Sequence, residues 1–158
     1  MIKLSGELAD ALKDSDTIKV LTTTDQEGLP HSVCKQTLTV LDDGRLAYVE
    51  LIERSETYKN MLRHHWDKRN VAIFIFNPKT GLSYQIKGVP THCMVEGPIW
   101  SMLRDQCWRI MPETEPAAVR VISPDEIRDQ SYPVRVEAEG KRMLQYNIWN
   151  TYPGKKQN

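Results

Sequence analysis

Residues 29–52 read Leu29-Pro30-His31-Ser32-Val33-Cys34-Lys35-Gln36-Thr37-Leu38-Thr39-Val40-Leu41, then Asp42-Asp43-Gly44, then Arg45-Leu46-Ala47-Tyr48-Val49-Glu50-Leu51-Ile52. Two runs rich in β-forming residues flank an Asp-Gly pair. That pair favours a tight reversal, because glycine supplies positive φ without a steric cost. The stretch therefore predicts one strand from Leu29 to Leu41, a hairpin turn, and an antiparallel partner from Arg45 to Ile52. A local antiparallel pairing excludes the all-parallel architectures built from strand-helix-strand crossovers.

The same logic extends upstream. Thr17 to Thr24 is rich in β-branched residues and ends at the turn signal Asp25-Gln26-Glu27-Gly28, which predicts another strand. Before it, Leu4, Leu8, Ala11 and Leu12 recur at helical spacing, with Ser5 as the expected N-cap.

Downstream, Ser55 is placed to cap a helix whose expected apolar face is Tyr58, Met61, Leu62 and His65 or Trp66. Asn70 to Phe76 is nearly all apolar and reads as a buried strand, turned by Asn77-Pro78-Lys79-Thr80-Gly81. Leu82 to Glu96 is extended, with Gly88 and Pro90 marking a bend or bulge. Pro98 opens a helix expected to face Ile99, Met102, Leu103 and Ile110 inward. The segment Pro112 to Pro116 reads as a loop, Ala118 to Ile122 as a strand, and Ser123-Pro124-Asp125-Glu126 as a capping-box helix start. Beyond Pro133 the tail is polar, with Tyr146, Trp149 and Tyr152 spaced by three to pack on the body or on a partner chain. No repeat or linker divides the chain, so a single domain over 1–158 is expected, with its core at about 17–124.

The elements sum to a mainly β fold with added α. Six antiparallel strands close into a small barrel with short helices at its ends. So narrow a barrel fills with its own side chains. A ligand is expected outside it, where two subunits meet.

Charge narrows the partners. Lys plus Arg and Asp plus Glu number 21 each, so no net field holds a polyanion, and nucleic acid is not an expected partner. No apolar run reaches the roughly 18 residues of a membrane span. Met1 to Glu7 lacks an apolar core and a cleavage site, so no signal peptide is read there. Cys34, Cys93 and Cys107 form no CxxC pair and fit a reducing cytoplasm.

Four stretches resemble one known family. These are Asp25-Gln26-Glu27-Gly28-Leu29-Pro30-His31, Asp43-Gly44-Arg45-Leu46-Ala47-Tyr48-Val49, Ser55-Glu56-Thr57-Tyr58-Lys59-Asn60-Met61-Leu62 with Asn70-Val71-Ala72-Ile73, and Tyr84-Gln85-Ile86-Lys87-Gly88-Val89. Together they resemble the FMN-binding split barrel of pyridoxamine 5'-phosphate oxidase-like proteins, a six-stranded antiparallel barrel of Greek-key type. The resemblance implies a homodimer with FMN in a groove between subunits, and an oxidoreductase or flavin electron-transfer role. Alternatives within the same fold are a non-catalytic flavin-binding protein, or haem or another ligand in that groove.

The resemblance also implies site residues. Ser32 and Lys35 on the second strand, which alternation puts on opposite faces so that at most one enters a given groove, and Arg54, Ser55 and Thr57 at the helix start are expected near the FMN phosphate, where free N–H groups and the helix dipole favour an anion; Val33 and Cys34 between them are expected along the cofactor groove. Tyr48, Val49 and Glu50 are expected to run their backbone beside the flavin ring, and Gln85 and Lys87 to come from the strand near the partner subunit. Glu56 departs from the family, which commonly places a basic residue there.

Other constellations are read as structural. His64 and His65 diverge by about 100° on a helix and make no metal pair. His92 and Cys93, neighbours on a strand, point to opposite faces and make no nucleophile-base pair. No metal site is expected, and no catalytic acid or base is identified.

Overall fold

A computed structural model describes residues 2–143 of the protein; Tyr146, Trp149 and Tyr152 lie outside the described residues. The elements are α1 (Glu7–Lys13), β1 (Ile18–Thr24), β2 (Pro30–Cys34), β3 (Thr39–Val40), β4 (Leu46–Glu50), α2 (Glu56–Asp67), β5 (Val71–Phe76), β6 (Ser83–Met94), α3 (Pro98–Ile110), β7 (Ala118–Asp129) and α4 (Tyr132–Met143). The strands form one antiparallel sheet in the order β2-β1-β5-β6-β7-β4-β3. It has seven strands, where the sequence predicts six.

The extra strand arises from the opening stretch. The expected strand from Leu29 to Leu41 breaks at Lys35–Leu38, where the Leu38 N–H bonds the Lys35 carbonyl at 2.9 Å. β2 and β3 are consecutive in sequence yet occupy the two opposite edges of the sheet. Only four residues join them, so the sheet must curl until its edges approach, giving a half-barrel with a seam between β2 and β3.

The Asp-Gly hairpin forms as predicted. Gly44 sits at φ 84°, and its Cβ position would lie 2.8 Å from the Lys3 Cα, so glycine is required twice over. The bulge expected at Gly88 and Pro90 is also present, as register shifts between Lys87 and Gly88 and between Pro90 and His92. There the backbone of β7 passes so close that a Cβ on Gly88 would meet the Ser123 carbonyl oxygen at 2.5 Å.

That crossing explains one correction. Ser123-Pro124-Asp125-Glu126 starts no helix; it continues β7, with Pro124 opposite Gly88. A proline has no N–H to give the ladder and fits a bulge, so tertiary pairing overrides the local capping pattern. At the N-terminus, Gly6 rather than Ser5 occupies the cap of α1, without a side-chain cap bond. β5 buries one face only: Val71, Ile73 and Ile75 point inward while Phe74 is 40% exposed.

Leu12, Leu21, Leu38, Leu46, Tyr48, Met61, Ile73, Ile75, Ile86 and Ile122 form the barrel core. A second cluster on the far side of β4 and β7 packs Ala47, Val49, Val119 and Val121 against Leu103 and Cys107 of α3. Two helix faces differ from expectation. α2 buries Thr57, Asn60, Met61 and His64, while Leu62 and Trp66 face solvent. The buried polar groups find partners on β1: Asn60 Nδ2 donates to Thr23 Oγ1 at 3.1 Å, and the Thr24 N–H donates to His64 Nε2 at 3.0 Å. α3 buries Leu103 and Cys107, leaving Met102 and Ile110 exposed.

Candidate functional site

At one end of the barrel, four elements bring polar groups together. Lys35, just after β2, donates to Glu50 Oε1 at 2.9 Å and lies 4.8 Å above the Tyr48 ring. The Tyr48 hydroxyl donates to the other Glu50 oxygen at 3.3 Å. Glu50 and Tyr48 sit two apart on β4 and so share one face. Directly across from Tyr48, on β7, is Arg120, whose guanidinium stacks 4.3 Å from the ring of Tyr58 in the first turn of α2. In the same turn, Thr57 is buried, and its Oγ1 lies 3.2 Å from His31 Nε2 on β2. A closed circuit of contacts thus links β2, β4, β7 and the start of α2.

The cluster is shut off from solvent. Glu50 is 1% exposed and Arg120 2% exposed. Burial, reinforced by the Glu50 carboxylate, pushes the Tyr48 phenol well above its ordinary value of 10.0, with Arg120 opposing. Tyr48 is therefore a neutral hydrogen-bond donor at any physiological pH. Arg120 Nε and Nη2 are buried and have no hydrogen-bond partner among the described residues. Three groups of this cluster, Arg120, Tyr58 and His31, are not among the site residues expected from sequence; Arg120 is the charged one buried among them. Its signal was a lone charge inside the apolar run Ala118-Val119-Arg120-Val121-Ile122.

The predicted site residues do not all come together. Lys35, Tyr48, Glu50 and Thr57 belong to the circuit. Ser55 caps α2, its Oγ accepting the Tyr58 N–H at 3.0 Å, and Arg54 beside it is exposed with no ion pair among the described residues. Glu56 is exposed and pairs with Lys59 at 3.8 Å, which turns its carboxylate toward solvent and away from buried Thr57. Val49 faces α3, and its backbone N–H and carbonyl both bond the Thr37 hydroxyl, at 3.0 and 3.3 Å.

Ser32, Cys34, Gln85 and Lys87 lie instead on the outer face of the sheet. Cys34, Val20, Phe74 and Gln85 form one cross-strand row, and Ser32, Thr22, Ala72 and Lys87 the next. Ser32 Oγ bonds Thr22 Oγ1 at 2.8 Å, and Lys87 pairs with Glu126 at 3.3 Å. Val33, opposite Leu21, points the other way. Ile18 and Phe74 are both about two-fifths exposed on this outer face, which makes it partly apolar.

Among the described residues, no group of three His, Cys, Asp or Glu side chains could hold a metal ion. None of the described helices is long and apolar enough to cross a membrane.

No family model and no curated protein matches the sequence. Solved structures do match. A candidate pyridoxamine 5'-phosphate oxidase from Lactobacillus delbrueckii superposes with a TM-score of 0.58 at 23% identity, over 80% of this chain and 93% of the other. An FMN-binding protein from Syntrophomonas wolfei gives 0.62 at 14% identity, over 78% and 84%. HutZ, described as a heme storage protein from Vibrio cholerae, gives 0.57 at 12% identity, over 81% and 95%. At these identities the likeness is one of fold. The chain has the fold of the pyridoxamine 5'-phosphate oxidase-like, FMN-binding split barrels, as its sequence motifs led one to expect.

Proposed function

We propose that the protein binds FMN beside the barrel end and works as a flavin oxidoreductase or electron carrier. The observation that carries this reading is the circuit of Lys35, Glu50, Tyr48, Arg120 and Tyr58, which sets a buried cation against the first turn of α2. Helix N-termini offer unpaired N–H groups and a partial positive charge, the combination a phosphate prefers. The residues fit such a group because Arg120 has an unsatisfied pair of donors there. They fit, too, because Glu56, the departure from the family pattern, is turned toward Lys59.

In this reading Arg54, Ser55 and Thr57 hold the phosphate from the α2 side. Thr37 fixes the backbone of Val49, and the Lys35–Glu50 pair would hold the end of β4 in place beside the cofactor. FMN, when bound, supplies hydride or electron transfer, chemistry that calls for no protein nucleophile. The protein's part is to bind, orient and exclude water.

The functional unit in this reading is a homodimer. The partly apolar outer face carrying Ile18 and Phe74 supports it, and so does the placing of Gln85 and Lys87 on that face rather than in their own chain's pocket. A second reading, haem in the same groove, is favoured by the likeness to HutZ.

The absorption spectrum of the purified protein tests both. Flavin bands, or their appearance on FMN titration, support the first reading, and a haem Soret band supports the second. A colourless protein that takes up neither overturns both. Within the first reading, Arg54→Ala weakens FMN binding by roughly three- to tenfold, the scale of an exposed charge near a phosphate. An unchanged dissociation constant removes Arg54 from the site.

A further inference from the structure

We infer that Arg120 is the principal anion-binding residue of this pocket, and that its guanidinium grips a phosphate-class oxyanion of the bound ligand beside the first turn of α2. The inference rests on the flavin reading above and assigns to it a residue that neither the sequence motifs nor the family resemblance picks out.

The argument begins with which atoms are unsatisfied. Nε and Nη2 of a guanidinium point to the same side and form its side-on fork, the edge that takes two oxygens of one carboxylate or phosphate. In Arg120 these two atoms are the ones that are buried without a partner. The flat face is served by the Tyr58 ring at 4.3 Å, but a stacked ring accepts no hydrogen bond from the edge. Arginine does not escape the cost of burial by losing its proton. Buried charged edges in native folds are almost always served by protein, water or ligand, and a fork this well formed suits an oxyanion.

The surrounding charges do not fill it. Glu50 is the nearest carboxylate in the circuit, and it is engaged by Lys35 at 2.9 Å and by the Tyr48 hydroxyl at 3.3 Å; it makes no ion pair with Arg120. Two cations therefore face one anion in the cluster. The missing negative charge belongs to a group from outside the described chain.

The chemical class follows from the neighbours. Tyr58 is the third residue of α2, so the same helix presents the unpaired N–H groups of Glu56 and Thr57 in that turn. A carboxylate has two oxygens, and the Arg120 fork would consume both. A phosphate monoester keeps a further oxygen for the helix N–H groups. The combined donors therefore favour a phosphate-class anion.

Comparing FMN with riboflavin, which differ only in the phosphate, tests this on the full-length protein. Wild type is expected to prefer FMN by about a hundredfold or more, the scale of two charge-assisted hydrogen bonds. In Arg120→Met that preference falls to within about threefold, while riboflavin affinity holds and the apo protein loses no thermal stability, because an unpaired buried charge has gone. Arg120→Lys keeps the charge without the fork and retains only part of the preference. Should Arg120→Met fail to fold, Arg120→Gln takes its place in the comparison.

A retained FMN preference in the uncharged variant overturns the assignment, as does a wild type that binds the two flavins equally. Dissociation of a dimer with the preference unchanged also overturns it, and would give the fork to a carboxylate of a second copy. If wild type binds neither flavin, the flavin reading fails, and inorganic phosphate then decides the socket alone. A rise in Tm with phosphate in wild type, absent in Arg120→Met, upholds it; no rise in wild type overturns it.

Discussion

Lys35 and Glu50 meet at 2.9 Å across the seam of the half-barrel, one following the edge strand β2 and the other ending β4. β3 is only two residues long, so beyond it β4 has no strand partner on that side. The ion pair, with the Thr37 hydroxyl on the Val49 backbone, does there what a ladder does elsewhere.

Removing one partner of this pair strands the other. Lys35→Met is expected to cost about 3–5 kcal/mol, because Glu50 keeps a buried charge with only the Tyr48 hydroxyl to serve it. Lys35→Met combined with Glu50→Gln recovers most of that loss. Urea denaturation of both proteins checks it. A single variant within 1 kcal/mol of wild type would show the pair to be idle.

The second prediction concerns pH. The Thr24 N–H donates to His64 Nε2, so that nitrogen is the unprotonated acceptor and the ring is neutral. Burial holds the His64 pKa below its ordinary 6.5, assisted by repulsion from Arg69 and Arg63, while backbone hydrogen bonds partly oppose. The unfolded chain therefore binds a proton that the folded one refuses. Stability is whole above 6.5 and falls as pH drops below it toward the folded value. His64→Gln, which can still accept from Thr24, removes this component. Its Tm should fall less than that of wild type between about pH 7 and 5. Parallel curves for the two proteins would assign the acid limb to other groups.

Gly88→Ala is expected to destabilise by roughly 1–3 kcal/mol or more, since the new methyl meets backbone of β7 rather than a movable side chain. The damage should be local. Amide exchange is expected to rise first along β6 and β7 around Ser123 and Pro124. Unchanged thermal stability would mean that the two strands separate freely there.

The outer face makes a fourth prediction. Phe74→Glu puts a charge in the partly apolar patch with Ile18 without touching the core residues Ile73 and Ile75. Sedimentation should show a folded monomer in place of the proposed dimer. A dimer that survives the substitution places its interface elsewhere.

Hairpin chemistry made much of this fold legible. Gly44 and the β5–β6 turn at Gly81 both sit at positive φ, where a short sequence signal has a local cause. Misreadings came where distant partners decide. Ser123-Pro124-Asp125-Glu126 has the residues of a helix start, but its neighbour across the sheet is Gly88. Spacing gives α2 an apolar face, whereas the groove over β1 offers Thr23 and Thr24 as partners and selects Asn60 and His64. Lys35 and Glu50 are visible as candidates, but not as each other's partner, because the chain between them, at a separation of 15, includes the edge-to-edge crossing. Arg120 left the faintest trace, since nothing in a strand sequence tells whether a charge within it is satisfied.

The placing of β2 and β3 at opposite edges has a consequence for how the protein is made. Lys35, Glu50 and the first turn of α2 leave the ribosome early, but Arg120 and the strand that pairs with β4 are among the last described residues to be synthesised. Until β7 is available, β4 has no long partner and Tyr48 has nothing across from it. Pairings between residues so far apart in sequence are slow to form. The cluster is thus completed only after β7 has been made, and a fragment that stops before Ala118 has Lys35, Glu50 and Thr57 but neither Arg120 nor the strand that faces Tyr48.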